Sequence, residues 1–159
     1  MPITPFHFGP GAALHALAPR QVSFLAFCAA NVVIDVESLY NLMHHRMPVH
    51  AFLHTYVGAT LVWLGLAALF WLALKLPGVK ARTRLGLRQV ALGALLGAYS
   101  HVLLDSVMHP DIQPLAPFAA GNALQGVISL QALHWACLAS ALFALLWMGA
   151  RRLWPSRSR

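Results

Sequence analysis

The sequence predicts an all-α fold, a small polytopic membrane bundle of about four helices preceded by a short N-terminal re-entrant or interfacial helix. Three observations predict it. Of 159 residues, 59% are hydrophobic and only 9% are charged, at a mean hydropathy of +0.66, a balance too apolar for an ordinary soluble domain. Residues 51–74 supply 24 residues without a formal charge, roughly 36 Å as a helix and enough to cross a bilayer. Breakers and basic residues interrupt the apolar runs where turns are needed, most clearly at Pro77-Gly78 among Lys75, Lys80, Arg82, Arg84 and Arg88. Residues 1–159 read as one membrane-embedded domain.

Taken in order, residues 1–20 alternate apolar positions with Pro2, Pro5, Gly9, Pro10, Gly11 and Pro19. About two helical turns fit between Gly11 and Pro19, well short of the ~20 residues a span requires, so this piece dips in or lies at the interface. No basic segment opens the chain, and insertion is expected to use the helices themselves. The first main helix covers residues 21–36 and ends on Asp35 and Glu37, marginal as a span and leaning on its neighbours. Residues 39–48, with Tyr40, Asn41, His44, His45 and Arg46, form a polar connector closed by Pro48. The second and third helices cover residues 51–74 and 85–108, the latter carrying Gly86, Gly93 and Gly97 for close packing. Residues 109–122, with Pro110, Pro114, Pro117 and Gly121, return the chain to the membrane. The last helix covers residues 127–148, followed by Arg151, Arg152, Arg157 and Arg159, with Trp147 and Trp154 as interfacial anchors. Cys28 and Cys137 lie within apolar runs and read as buried bystanders.

The net charge of +7 resides in the 75–88 loop and the C-terminal arginines, which flank membrane segments and form no nucleic-acid stripe. The positive-inside rule puts both clusters in the cytoplasm of a bacterial-type inner membrane. Residues 39–48 and 109–122 then face the periplasm. All four acids, Asp35, Glu37, Asp105 and Asp111, fall at the outer ends of three helices with His44, His45, His50, His54, His101 and His109. Within Tyr99-Ser100-His101-Val102-Leu103-Leu104-Asp105-Ser106-Val107-Met108-His109, residues His101, Asp105 and His109 share one helical face. Ionisable groups at such positions are costly and mark a functional site. Mixed imidazoles and carboxylates suit zinc, iron or manganese, and the i, i+4 spacing of His101 and Asp105, shared by His50 and His54, lets one helix give two ligands. A non-catalytic metal-binding scaffold and an ion or proton conduit use the same groups. A conduit would carry polar residues across the bilayer, whereas residues 62–74 and 85–96 hold few besides Arg88 and Gln89.

Several motifs carry a family resemblance. They are His7 in Pro5-Phe6-His7-Phe8-Gly9, the acidic pair in Ile34-Asp35-Val36-Glu37, and His45-Arg46-Met47-Pro48-Val49-His50 or, in the other register, Leu53-His54-Thr55. The most specific is Gly97-Ala98-Tyr99-Ser100-His101 with Asp105, and the turn over residues 114–118 follows it. On these the chain resembles the membrane-bound metal-dependent hydrolases of the YdjM type, with Ile34 where that family has proline and Glu37 where it has a second aspartate. The resemblance implies a helical bundle that hydrolyses an ester or phosphoester at a divalent metal, zinc first among the candidates. Its ligands would be His7, Asp35, His50, His54, His101 and Asp105. Glu37 would be a ligand or, like Asp111, the catalytic base, and Tyr99, Ser100 and Asn41 would orient the ligands. His7 reaches such a site only if residues 1–20 dip in and turn back at Pro19. A site at the outer membrane boundary suits a membrane lipid or another amphipathic small molecule entering sideways from the leaflet.

Overall fold

The structure, a computed structural model, describes residues 5–153. These residues form six α-helices, α1 (Phe8–Leu17), α2 (Phe24–Met43), α3 (Tyr56–Lys75), α4 (Val79–Thr83), α5 (Leu87–Met108) and α6 (Leu130–Leu153), with 3₁₀ turns at Pro5–His7 and Phe52–His54. Helices α2, α3, α5 and α6 are each long and apolar enough to cross a membrane. The chain is thus the all-helical membrane bundle that its composition requires. Trp154, Arg157, Arg159 and the first four residues lie outside the described region.

The short helix α1 turns back on α2. Two side-chain and backbone contacts to the start of α5 hold the reversal: the Gln89 amide donates to the Pro19 carbonyl at 2.6 Å, and the Ser23 N–H donates to the Gln89 carbonyl at 3.0 Å. The Ser23 hydroxyl then caps α2, accepting from the Ala26 N–H. This hairpin brings His7 beside His101 and Asp105 of α5.

Helix α5 packs against α2 and α3 over small residues. A Cβ on Gly93 or Gly97 would strike the α2 backbone at Ser23 or Phe27, and one on Gly9 would strike the Cys137 carbonyl of α6. Gly86 has no such neighbour and serves as the N-cap of α5. Between α2, α3 and α5 the interior is apolar, filled by Ala26, Ala30, Val62, Leu66, Val90 and Ala94. Helix α6 touches chiefly α1 and leaves Trp135, Leu138, Leu142 and Leu145 exposed, the surface expected of a span facing lipid.

Helices α2, α5 and α6 start two or three residues later than the sequence reading has them, the short α4 lies within the 75–88 loop, and three further differences bear on the site. Helix α2 continues through Met43, because Asp35, Ser38 and Asn41 all turn into the protein and the Asn41 amide donates to the Pro48 and Val49 carbonyls. Residues 51–55 are not α-helical: Thr55 caps α3 by accepting from the Gly58 N–H at 2.9 Å, and His54 sits in the 3₁₀ turn before it. The i, i+4 argument for His50 and His54 therefore fails, although folding still brings their rings to 4.7 Å between centroids. Helix α6 runs on to Leu153, carrying Arg151 and Arg152 in its last turn.

Candidate metal centre

Helix α5 contributes His101 and Asp105 one turn apart, α2 contributes Asp35, and the 52–54 turn contributes His54. His101 Nε2 lies 3.2 Å from Asp35 Oδ1, 3.2 Å from Asp105 Oδ2 and 3.3 Å from His54 Nε2. His54 Nε2 lies 3.3 Å from Asp105 Oδ2 and 3.8 Å from Asp35 Oδ1. Bonds of ~2.0–2.1 Å to a tetrahedral zinc imply ligand-to-ligand edges of about 3.3–3.4 Å, and these five separations bracket that value. The four residues are buried and can hold a metal ion. The group is recessed: Asp35 precedes the end of α2 at Met43 and His101 the end of α5 at Met108, by roughly 12 Å and 10 Å along the helix axes.

Groups behind the ligands set their proton states. The Asn31 amide nitrogen donates to the Phe27 and Gly97 carbonyls, which turns its oxygen toward His101 Nδ1 at 2.9 Å. An amide oxygen only accepts, so Nδ1 carries the hydrogen and Nε2 keeps its lone pair for a cation. On His54, Nδ1 faces the Ser38 hydroxyl at 3.4 Å. Hydrogen bonds leave the cluster incomplete. Asp35 Oδ1, Asp105 Oδ1, His7 Nε2 and His50 Nε2 are buried without a hydrogen-bond partner, and each such atom costs about 1–3 kcal/mol, more where charged. A cation held among them would supply what the protein does not.

Three further imidazoles surround this group. His7 Nε2 approaches Asp105 Oδ1 at 3.2 Å, and its Nδ1 lies 3.1 Å from His101 Nδ1. His50 donates from Nδ1 to Asp111 Oδ1 at 2.9 Å and from its backbone to Oδ2 at 3.0 Å. Its ring stacks on His109 at 4.1 Å. Burial pushes His7 down to about 4, against the pull of Asp105, and lowers His54 and His109 as well. All three are neutral at pH 7 and competent as ligands. For Asp111 burial acts upward, but the hydrogen bonds from His50 outweigh it and hold the carboxyl below its usual range.

The folded chain thus assembles His7, Asp35, His50, His54, His101 and Asp105 around one locus. Glu37 is not among them. Its two oxygens accept from the Phe52 and Leu53 N–H groups, so it clamps the turn that presents His54 and is occupied neither as ligand nor as base. Asp111, the other base candidate, has both oxygens committed to His50. Asn41 bonds loop carbonyls, Ser100 bonds the Leu96 carbonyl, and Tyr99 bonds Thr60; none orients a ligand. Asn31, Ser38 and Asp111 do so instead, and His109 is an added donor. Asn31, Asp35 and Ser38 stand at i, i+4 and i+7, a spacing that marks one helical face. No protein-family model, curated protein or solved structure matches the chain.

Proposed function

We propose that this chain is a membrane-bound metal-dependent hydrolase of an ester or phosphoester, with zinc held by Asp35, His54, His101 and Asp105. The observation that carries the reading is the group of four buried ligand residues, brought together from three separate segments, with Asp35 Oδ1 and Asp105 Oδ1 left without a hydrogen-bond partner. The resemblance to the YdjM-type hydrolases supports the same reading. A divalent cation bound there supplies Lewis acidity, polarising the scissile group and making water nucleophilic near neutral pH.

The chain's own groups divide the remaining work. Asn31 fixes the tautomer of His101, and Ser38 faces Nδ1 of His54. Asp35 is the ligand that solvent reaches best, its side chain 12% exposed against 0–2% for the others. Its carboxylate therefore takes the proton from the attacking water, in place of Glu37 and Asp111.

Position argues for the substrate class. A cavity of about 360 Å³ has His50, Thr55 and Asp111 in a wall otherwise built from Pro48, Phe52 and Pro117 among others, few polar handles on an apolar surface. Such a wall fits a membrane lipid or another amphipathic ester. The basic 75–88 loop lies at the opposite end of α5 from His101 and Asp105, which under the positive-inside rule supports a site facing the periplasmic side of a bacterial-type inner membrane. Toward that loop the described interior is apolar, which disfavours a conduit.

Turnover by detergent-purified protein on phospholipid vesicles and on a chromogenic phosphodiester tests the proposal. Chelation with EDTA abolishes release, zinc restores it, and Asp35→Asn weakens zinc binding and lowers the rate about 10²–10⁴-fold. Retained zinc with no turnover on either probe overturns the hydrolase and favours a metal-binding scaffold.

A further inference from the structure

Beyond the four-residue group, a second set of donors meets on the same carboxylate. His50, Asp105 and His109 each offer one ligand atom, all within 4.8 Å of one another. The two sets share only Asp105. Its Oδ2 faces His54 and His101 at 3.3 Å and 3.2 Å, whereas its Oδ1 is buried with no hydrogen-bond partner. His50 is 6% exposed, its Nδ1 is taken by Asp111, and its Nε2 is likewise buried and unpartnered. A carboxylate that accepts from one ring nitrogen in this way orients a metal-ligating histidine through its other nitrogen. The stacked rings of His50 and His109, 4.1 Å apart and 26° from parallel, present both imidazoles from neighbouring segments. A further imidazole nitrogen, His7 Nε2, stands 3.2 Å from the same Oδ1.

The geometry points to a second divalent cation held by His50, His109 and Asp105, with the Asp105 carboxylate bridging it to the first. The centre is therefore binuclear. This rests on the first cation being held as proposed above, because the bridge requires it. Two close cations can stabilise both the attacking and the leaving oxygen of a displacement, which for this chain favours a phosphoester over a carboxylic ester. A cavity of about 470 Å³ opens on His50, His109 and Asp111, so the second ion faces the route by which substrate and water arrive. Asp111 acts as a positioning residue, through His50.

Zinc stoichiometry measured by mass spectrometry on the detergent-purified, zinc-loaded chain tests this directly. Wild type is expected to hold two equivalents, and His50→Asn and His109→Asn one each. His109 is only half-buried and lies beyond the end of α5, so its variant leaves the bundle intact, checked by helicity and gel filtration. Asp111→Asn weakens the second equivalent by about 10–100-fold and leaves the affinity of the first unchanged, a split that a general loss of stability does not produce. One equivalent in wild type, unaltered by the His50 and His109 variants, overturns the second ion while the first stands. No zinc in wild type removes both.

Discussion

His101 uses both ring nitrogens, Nδ1 toward Asn31 and Nε2 toward Asp35, Asp105 and His54. Asn31→Ala removes the amide acceptor that selects this tautomer and leaves Nδ1 with His7 Nδ1, 3.1 Å away, as its polar neighbour. Zinc affinity, followed by chelator competition, is expected to fall about 10–100-fold, with a stability loss of about 1–3 kcal/mol. His7 gives the pH dependence of the metal-free protein. Its folded value near 4 lies below the ordinary 6.5, so between these limits the unfolded chain binds the extra proton. The His7 contribution therefore makes stability rise with pH across that window and fall as pH drops through it. Thermal unfolding in detergent with EDTA is expected to show this slope, and His7→Gln to flatten it. Glu37 illustrates what residue type alone conceals. It follows Asp35 by two positions, and residues i and i+2 do not share a helical face, so the two carboxylates diverge and Glu37 reaches the 52–54 turn instead. Glu37→Gln is expected to keep full zinc stoichiometry.

At the scale of elements, the centre depends on how closely α5 approaches α2. Gly93→Leu pushes α5 away from the Ser23 backbone, and overpacking of this kind costs typically about 1–3 kcal/mol. Because the His101 contacts to Asn31 and Asp35 bridge the same two helices, zinc affinity is expected to fall with thermal stability. Gly65→Ala, which meets nothing within 4 Å, is expected to leave zinc affinity unchanged without loss of thermal stability and serves as the control. The parts of the site written within one helix were legible from spacing: His101 and Asp105 are one turn apart on α5, and His109 continues their stripe. Parts that depend on packing between helices were not. Asn31 and Ser38 acquire their roles only when α2 meets α5 and the 52–54 turn. His54 is positioned by Thr55 capping the next helix and by Glu37 gripping the turn, neither of which a hydropathy pattern reveals.

The whole molecule joins a hydrophobic bundle to one buried polar locus near the ends of its helices. Composition alone made the membrane architecture legible, since long uncharged runs admit few other folds. The convergence of acids and histidines was legible from topology, but its depth was not: Asp35 and His101 sit about two turns inside the ends of their helices, where the low dielectric favours a cation among two carboxylates over bare charges. The α1 hairpin, set by contacts of Pro19 and Ser23 with Gln89, is what brings His7 into this shell from an otherwise ambiguous N-terminal stretch. X-ray absorption at the zinc edge of the detergent-purified chain tests the central claim most directly. The expected spectrum has a nitrogen and oxygen shell at ~2.0–2.1 Å with imidazole scattering that weakens in His54→Ala and His101→Ala. A hydrated-zinc spectrum without imidazole, indifferent to both substitutions, contradicts it.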